Sequence, residues 1–298
     1  MTSPLLSDVD IREVGPRDGL QGEAPLPPED RARLVAALLD AGITHIEAVS
    51  FVSPKAVPAM ARPHEVLAAL PPMADVTVCA LVPNVRGAEM ALEAGVDEIT
   101  VTVAASIEYN RRNVNMTIDE SVSAIAGICR LSVDAAVPVD AVVSCAFGSP
   151  YEGDIPAVQV AELAGRLLEV GISALTLADT TGMATPRVLD EVLSRTGTEV
   201  RLHLHDTRGT AMLNAYAAME LGVKRFDTSV GGLGGSPFTD TAAGNLATED
   251  FVALLDDLGV HSGVSLERLL RASALAEQLV GHELAGHVWR VGPRLARG

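Results

Sequence analysis

The sequence predicts an α/β protein built as a single (β/α)8 TIM barrel, and three observations predict it. A chain of 298 residues is long enough for such a barrel, which typically takes about 250 residues. Short β-branched segments alternate with Ala- and Leu-rich segments of helical periodicity along most of the chain. Several helical segments end at a glycine that a strand segment follows within a few residues. Eight such units without an obvious linker favour one closed parallel barrel over a doubly wound sheet.

The predicted strands are eight short segments that end where polar residues or turn signals begin. Each is short enough for a buried parallel strand, and most are rich in Val, Ile and Thr. In chain order they are Val9–Val14, Thr44–Ser50, Val76–Val82, Glu98–Ala104, Pro138–Cys145, Ala174–Ala178, Glu199–His205 and Arg225–Val230.

The predicted helices lie between these strands and after the last one. Gly42, Gly95, Gly171 and Gly222 stand just past four of them, where a left-handed C-cap needs glycine. The helix after the second strand is poorly defined, because several prolines interrupt its region. We divide the chain into a barrel over about residues 1–260 and a C-terminal helical extension over residues 261–298. The predicted helices are Pro28–Ala41, Val85–Ala94, Ile118–Leu131, Ile155–Val170, Pro186–Ser194, Thr210–Leu221, Asn245–Leu258 and Leu266–Val280.

Composition excludes several classes of function. A net charge of −17 argues against a nucleic acid partner. Hydrophobic residues make up 48% of the chain but aromatic residues only 3%, so the core should be mostly aliphatic. No stretch approaches the roughly 18 apolar residues of a membrane helix, and the N-terminus shows no secretion signal. The scattered Cys79, Cys129 and Cys145 are interpreted as buried free thiols, so we predict a soluble cytoplasmic enzyme.

Candidate functional residues lie at the carboxyl ends of predicted strands, where barrel enzymes place their reactive groups. Strand seven ends in His203-Leu-His205. Alternate strand residues share a face, so both imidazoles can point at one centre and bind a metal. The alternative is an interior histidine satisfied by hydrogen bonds, which explains one histidine more easily than two. Asp18, after strand one, and Asn245, after strand eight, add oxygen ligands that suit octahedral Mg²⁺ or Mn²⁺, although each could equally cap a helix or loop.

The glycine-rich segment 231–235 follows the eighth strand and resembles a phosphate-binding loop only superficially. It lacks the Lys and Ser/Thr of a P-loop and the spacing of a dinucleotide-binding fingerprint. We interpret it as a tight or mobile loop over the mouth of the barrel.

Taken together, these segments resemble the hydroxymethylglutaryl-CoA lyases and, more widely, the metal-dependent lyase and synthase barrels. The matching motifs occur in family order over roughly residues 10–255, which makes the series far more specific than the histidine pair alone. The motifs are Glu13–Gln21, Ser50–Lys55, Leu81–Asn84, Ser144–Gly148, Pro150–Gly153, Ala178–Gly182, His203–Thr207, Gly232–Gly235 and Gly244–Asp250.

The resemblance implies a role for each matching residue. Asp18, His203, His205 and Asn245 would hold Mg²⁺ or Mn²⁺, and Arg17 would be the cation beside the thioester oxygen of an acyl-CoA. The implied reaction is a retro-aldol or Claisen-type cleavage of 3-hydroxy-3-methylglutaryl-CoA to acetyl-CoA and acetoacetate. Glu47 would act at the reaction centre or orient Arg17 through a salt bridge, two roles that the sequence leaves open. The remaining expected site residues are Glu249 near the reaction centre and Gln21, Val142 and Asp179 near the substrate.

This sequence departs from the family pattern at the loop residue that is thought to return the proton. The lyases carry a Cys nine residues before the Asn ligand, where this chain has Ser236. A thiol has a pKa of about 8.5, whereas a serine hydroxyl is a far weaker acid that needs a neighbour to relay a proton. Ala24 and Val142 also differ from the Lys and Tyr that many relatives carry. These changes put the proton donor and part of the substrate pocket in doubt.

Four functions therefore remain as hypotheses. The first is cleavage of 3-hydroxy-3-methylglutaryl-CoA, and the second is cleavage of a related 3-hydroxyacyl-CoA such as a citramalyl ester. The third is an acyl-transferring synthase, which would usually need a longer C-terminal region. The fourth is a metal-retaining barrel without catalysis, against which the intact ligand set argues. Relatives commonly form dimers or larger assemblies, so a homo-oligomer is expected.

Overall fold

The computed structural model describes residues 6–72, 75–235 and 244–294 of the chain. Eight parallel strands close into one barrel in the order β1 to β8, which confirms the predicted fold class. The closed sheet has no edge strand, so every strand pairs on both sides. The strands are β1 Asp10–Glu13, β2 His45–Ser50, β3 Thr77–Leu81, β4 Glu98–Ala104, β5 Val139–Ser144, β6 Ala174–Asp179, β7 Arg201–Leu204 and β8 Arg225–Thr228.

Helices cover the outside of the barrel, and several start at a side-chain cap that the sequence supplies. The longest begins with a capping box, in which Thr117 and Glu120 each bond the other's backbone N–H. The helices are α1 Pro28–Asp40, α2 Pro63–Ala68, α3 Val85–Glu93, α4 Ile107–Val114, α5 Ile118–Ala135, α6 Ala157–Glu169, α7 Pro186–Thr196, α8 Ala211–Glu220, α9 Thr248–Leu258, α10 Leu266–Val280 and α11 Val288–Val291.

Two cores with different chemistry lie on the two sides of the strands. Between strands and helices the buried side chains are Ala, Val, Leu and Ile, with few aromatic residues, as the composition predicts. Inside the barrel many alternate strand positions carry polar or charged groups. Thr100 and Asp140 are paired in register on β4 and β5, and Thr176 and Arg201 on β6 and β7. This polar interior was not predicted from the sequence.

The C-terminal extension is packed against the barrel. Helix α10 lies on α1, and the backbone N–H of Ser265 donates to Ala41 O at the end of α1. Gly42 has φ +101°, and a Cβ there would lie 2.5 Å from Gly263 O. Glycine is therefore required at this helix end both by its conformation and by the close approach of the extension.

Several predicted boundaries were wrong for identifiable reasons. Helix α9 begins at Thr248, because Asn245 pairs instead with His205 in an isolated bridge. The last strand ends at Thr228, and a 3₁₀ turn over Val230–Gly232 follows. Helices α4 and α11 were not predicted, and α2 is short in the proline-rich region. Within the described ranges, no helix is both long and apolar enough to cross a membrane.

Candidate active site and metal centre

A π-helical turn over Gly15–Gly19 brings Arg17 and Asp18 into the mouth of the barrel directly after β1. The wide turn shows in the backbone, where the nitrogen atoms of Arg17, Asp18 and Gly19 all lie within 3.2 Å of Val14 O. Such turns are rare and occur frequently at functional sites. The turn makes two adjacent residues, one cationic and one anionic, available to the same centre.

Glu13 connects this turn by hydrogen bonds to the loop after β8 and to the start of α9. Its Oε1 accepts from the backbone N–H groups of Gly15 (2.8 Å) and Val230 (2.9 Å), and its Oε2 accepts from the Thr248 hydroxyl (2.6 Å). Burial raises the pKa of Glu13 to about 7, against the effect of these hydrogen bonds. A group with a raised folded pKa favours the folded state at low pH and loses that contribution as pH rises.

The Glu13→Gln variant is expected to resist alkaline pH better than the wild type. The wild type should lose stability as pH rises from the ordinary Glu value of 4.5 through about 7, and the amide does not titrate. Between about pH 5 and pH 8 the variant should gain about 2 kcal/mol relative to the wild type. Denaturant unfolding at both pH values measures this gain. Parallel pH profiles for the two proteins would contradict it.

His203 on β7, His205 directly after that strand and Asp18 form a cluster of possible metal ligands, at the place where the sequence predicts one. His203 Nε2 and His205 Nε2 are 3.0 Å apart, and His203 Nε2 lies 3.9 Å from Asp18 Oδ2. One donor atom from each of the three residues lies within 4.8 Å of the others, and all three residues are buried. The structure therefore brings together side chains from opposite ends of the sequence as one set of donors.

Asn245 completes this set. Its Nδ2 donates to Asp18 Oδ2 (2.7 Å) and to Leu233 O (3.0 Å), whereas its Oδ1 is buried and has no hydrogen-bond partner among the described residues. Buried polar atoms normally find partners, so the set has ligand capacity that the described protein groups do not satisfy. Two imidazoles, a carboxylate and an amide oxygen fit a divalent cation that keeps open coordination positions.

The charges of the donor set also suit a cation. Burial by itself raises the pKa of Asp18, but Arg17, His203 and His205 hold it below the ordinary value. Burial and the neighbouring His203 lower the pKa of His205 to about 3. Near neutral pH the site therefore presents a carboxylate and at least one neutral imidazole, the forms that bind metals.

Gly234→Ala is expected to disturb this donor set through one methyl group. Gly234 has φ +105°, and a Cβ there would lie 2.6 Å from Asn245 Nδ2 and 3.2 Å from Asp18 Oδ2. The Asn245 amide must move, so we expect divalent-metal affinity to fall at least about 10-fold. Calorimetric titration with Mn²⁺ measures this. Gly153→Ala is the control, because Gly153 also has positive φ (+73°) but open space at the Cβ position; equal losses in both variants would contradict the prediction.

Three residues of the donor set, Asp18, His203 and His205, line a cavity of about 850 Å³ at the barrel mouth. One end is polar and includes Arg17, Asp18, His203 and His205. The other end runs past β3 and β4 to the residues between α4 and α5. That end is lined largely by apolar side chains, among them Val52, Val57, Met116, Ile125 and Ile128. A ligand that combines a polar group with an apolar portion matches this lining.

Glu47 and Arg17 form a buried ion pair in the cavity wall. Glu47 Oε2 accepts from Arg17 Nε (2.5 Å) and also from Nη2, while Arg17 Nη1 donates to Asp18 Oδ1 (2.8 Å). The guanidinium is thus held between two carboxylates, as the orienting role of Glu47 requires. Glu47 Oε1 is buried without a hydrogen-bond partner. It therefore remains available for the second role that the sequence left open.

The other predicted site residues divide into two groups. Gln21 and Val142 line the cavity, and Gln21 Nε2 donates to Asp18 Oδ1 (2.9 Å). Asp179 and Glu249 do not belong to its lining. Asp179 Oδ1 accepts from the N–H of Ala184, and Glu249 Oε2 accepts from the N–H of Gly231, so each holds a loop beside the site. Their roles at substrate or at the reaction centre, like the assignments of Gln21 and Val142, stay predictions.

Ser236, the predicted proton-returning residue, lies outside the residues that the structure describes. The described chain stops at Gly235, which lines the cavity, and resumes at Gly244, next to Asn245. The proposed part of Ser236 in the reaction stays a prediction of the sequence.

A layer of buried charges below the donor set was missed. Arg12 on β1 reaches across the barrel, where its Nη1 contacts Asp140 Oδ2 (2.6 Å) and Glu98 Oε1 (3.2 Å), and its other nitrogens contact Asp227. Arg12 is 1% exposed. The available signal was the period of two along the strands, since Arg12, Asp140 and Asp227 stand at inward positions, each preceded by an apolar residue.

His45, Cys79 and Glu98 form a second cluster with metal-ligand chemistry in this layer. Their side-chain atoms lie 3.0–3.2 Å apart. However, Arg201 Nη2 can only donate, and it lies 3.2 Å from His45 Nδ1, so Nε2 carries the proton of the neutral ring. Nε2 donates that proton to the Glu98 carboxylate, so Nε2 has no lone pair for a metal. We interpret the cluster as a structural network of hydrogen bonds.

Comparison with known proteins shows the family to which this chain belongs. A model of the HMGL-like family matches residues 8–276, which is most of the chain. The chain belongs to the HMGL-like family. The resemblance inferred from the motifs is thereby confirmed.

Two relatives show how far the likeness of this HMGL-like chain extends. It is 41% identical to the mitochondrial hydroxymethylglutaryl-CoA lyase of Mus musculus over 290 residues, which cover 95% of the chain and 89% of the relative. The crystal structure of the HMG-CoA lyase of Bacillus subtilis superposes with a TM-score of 0.94 at 40% identity, covering 97% of this chain and 99% of the other.

A third relative of the HMGL-like chain was solved with ligands. The HMG-CoA lyase of Acinetobacter baumannii, in complex with coenzyme A and 3-methylmalate, superposes with a TM-score of 0.92 at 36% identity. It covers 98% of this chain and 97% of its own. The likeness thus spans the barrel and the C-terminal extension together.

Proposed function

We propose that this chain is a divalent-metal-dependent carbon–carbon lyase that cleaves 3-hydroxy-3-methylglutaryl-CoA to acetyl-CoA and acetoacetate. The observation that carries the proposal is that Arg17 lines one cavity together with three residues of the donor set, while the fourth, Asn245, donates to Asp18. Several relatives at about 40% identity bear the name of this activity. The donor set favours Mg²⁺ or Mn²⁺ over zinc, because two of its four ligands are oxygen atoms.

The shape of the cavity supports an acyl-CoA as the substrate. An acyl group with a carboxylate and a hydroxyl matches the end that holds Arg17 and the metal ligands. The pantetheine arm would follow the less polar end toward α5. The complex of the Acinetobacter relative with coenzyme A supports this choice of carrier. Acyl groups that differ at C3 would meet Val142 in the wall.

The described residues would have distinct roles in the cleavage of the C2–C3 bond. A bound Mg²⁺ or Mn²⁺ would supply Lewis acidity that polarises the substrate oxygens and lowers the pKa of the C3 hydroxyl. Among the described carboxylates that line the cavity, only Glu47 has an oxygen with no hydrogen-bond partner in the described part of the chain, since both oxygens of Asp18 and of Asp227 have partners. We therefore assign Glu47 Oε1 as the acceptor of the hydroxyl proton.

Bond cleavage then moves charge toward Arg17. As the C3 oxygen becomes the ketone of acetoacetate, the electron pair of the C2–C3 bond passes to C2 and gives the acetyl-CoA enolate. Arg17 is fixed by Glu47 and Asp18, so its position costs no reorganisation when the enolate oxygen develops charge. A proton must finally reach C2 to form acetyl-CoA. Ser236 remains our candidate for the relay that delivers it.

The decisive experiment is a substrate assay with controlled metal. Protein stripped with a chelator and then supplied with Mg²⁺ or Mn²⁺ is incubated with 3-hydroxy-3-methylglutaryl-CoA or with citramalyl-CoA. Acetyl-CoA is measured together with acetoacetate or pyruvate. We expect cleavage of the first ester only when metal is restored. Cleavage of the citramalyl ester alone would replace the proposed substrate, and no cleavage of either would refute both assignments.

Two further properties stay predictions. Cys79, Cys129 and Cys145 are free and buried in the structure, which supports a reducing, cytoplasmic location. A homo-oligomer, dimer or larger, is expected from the family resemblance. Sedimentation analysis of the purified chain checks the second property, and fractionation of the source cells checks the first.

A further inference from the structure

Asp227 lies between a metal-ligand histidine and a buried arginine. The strand register pairs Asp227 on β8 with Arg12 on β1 and with His203 on β7. Its Oδ1 accepts from Arg12 Nε (2.8 Å), and its Oδ2 accepts from Arg12 Nη2 (3.0 Å) and lies 3.1 Å from His203 Nδ1. Asp227 is 3% exposed. One carboxylate thus connects the charged layer inside the barrel to the donor set above it.

This contact determines which nitrogen of His203 carries the proton. A carboxylate can only accept, so Nδ1 of His203 must be the donor. In the neutral ring Nε2 then has the lone pair, and Nε2 is the atom that lies near Asp18 and His205. Within the described ranges His205 has no corresponding partner, because no group there forms a hydrogen bond with its buried Nδ1. The two histidines are therefore held by different means.

Arg12 keeps Asp227 in place. Its guanidinium binds Asp227 through two nitrogens, a geometry that fixes the plane of the carboxylate. The third nitrogen donates to Asp140 (2.6 Å) and Glu98 (3.2 Å) on the other side of the barrel. Carboxylates from β4, β5 and β8 thus prevent the guanidinium from turning away.

We propose that Asp227, held by Arg12, is a positioning residue that fixes the ring and the Nδ1-protonated form of His203 so that Nε2 can bind the metal. The inference rests on the metal site of the proposed function. Hydrogen bonds of this kind orient metal-bound histidines in general, and their loss costs roughly 10- to 100-fold in affinity. No part of the inference requires Asp227 to touch substrate.

The test compares two carboxylate-to-amide changes in the same buried layer. Asp227→Asn offers an amide that can donate to Nδ1 and so stabilise the other tautomer. We expect it to weaken Mn²⁺ binding by about 10- to 100-fold in calorimetric titration. Asp140→Asn is the matched control, because it removes a charge from Arg12 but does not contact His203. It should leave Mn²⁺ affinity within about 3-fold of the wild type while lowering stability.

A second measurement separates this inference from the proposed function. Nitrogen-15 NMR of the histidine side chains in metal-free protein, at about pH 8.5 so that neutral rings predominate, reports the tautomers directly. We expect His203 to be protonated at Nδ1 in the wild type and to lose that preference in Asp227→Asn. An Nε2-protonated His203 in the wild type overturns the inference, even if the variant fails to fold. Equal Mn²⁺ losses in both variants would also overturn it, whereas a wild type that binds no divalent metal would refute the proposed function alone.

Discussion

Replacing Arg17 by Met is expected to lower kcat by about 100- to 1,000-fold, which corresponds to about 3–4 kcal/mol of lost transition-state stabilisation. Arg17 is the cation held beside the donor set by Glu47 and Asp18, and its charge would act when the enolate oxygen becomes negative. Metal content should stay near one ion per chain, because Arg17 provides no ligand. Steady-state kinetics with metal analysis of the same samples measures both quantities.

A second cause of a lower kcat in Arg17→Met is the buried Glu47 charge that this substitution leaves unpaired. An unpaired buried charge costs several kcal/mol of folding stability. The double variant Arg17→Met/Glu47→Gln removes this charge while keeping the size of both side chains. Thermal unfolding of the double variant should be closer to the wild type than that of Arg17→Met. Its turnover should remain low. Restored turnover would mean that Arg17 serves packing rather than catalysis.

The Asp18→Asn variant is expected to lose both metal and activity. It replaces the one anionic donor of the set and retains only a neutral oxygen next to Arg17, Gln21 and Asn245. We expect Mn²⁺ affinity to fall by at least about 100-fold, and turnover at limiting metal by about 1,000-fold or more. Added Mn²⁺ should recover part of the activity.

Asp206→Asn provides the control for that change. Asp206 follows His205 directly, but its Oδ1 accepts from the N–H of Ala211 at the start of α8. The variant should lose about 1 kcal/mol of stability through the weakened cap and keep Mn²⁺ affinity. If Asp206→Asn reduced affinity as strongly as Asp18→Asn, the reduction would reflect general damage to the barrel mouth.

The fold and the proximity of the two histidines were predictable because both follow from local pattern. Strand and helix periods alternate clearly along the chain, and the strand ends of a barrel all meet at one face. His203 and His205 therefore had to lie together, and the motif around Asp18 and the family resemblance supplied the partners. The contacts of Asp18 with Arg17 and Asn245 agree with that expectation.

The layer around Arg12 was not predictable in the same way. Its partners Glu98, Asp140 and Asp227 come from three other strands, and only the barrel register brings them within reach of one guanidinium. The spacing of residues within one strand does not show which side chains of other strands they will contact. Similarly, nothing in the pattern around Glu249 shows that its carboxylate lies beneath Gly231 rather than in the cavity. Local pattern locates strand ends, whereas inward contacts depend on the closed structure.

The Arg12 layer also constrains the order in which substitutions can accumulate in this sequence during evolution. Removing one member of a buried ion network costs about 3–5 kcal/mol, although an apolar replacement of the whole network can be neutral. A typical domain has only about 5–15 kcal/mol of stability in total. A lineage therefore cannot exchange Arg12, Glu98, Asp140 and Asp227 one at a time without passing through poorly folded intermediates. We expect these four positions to change together among relatives, with compensating charges appearing on other strands of the same layer.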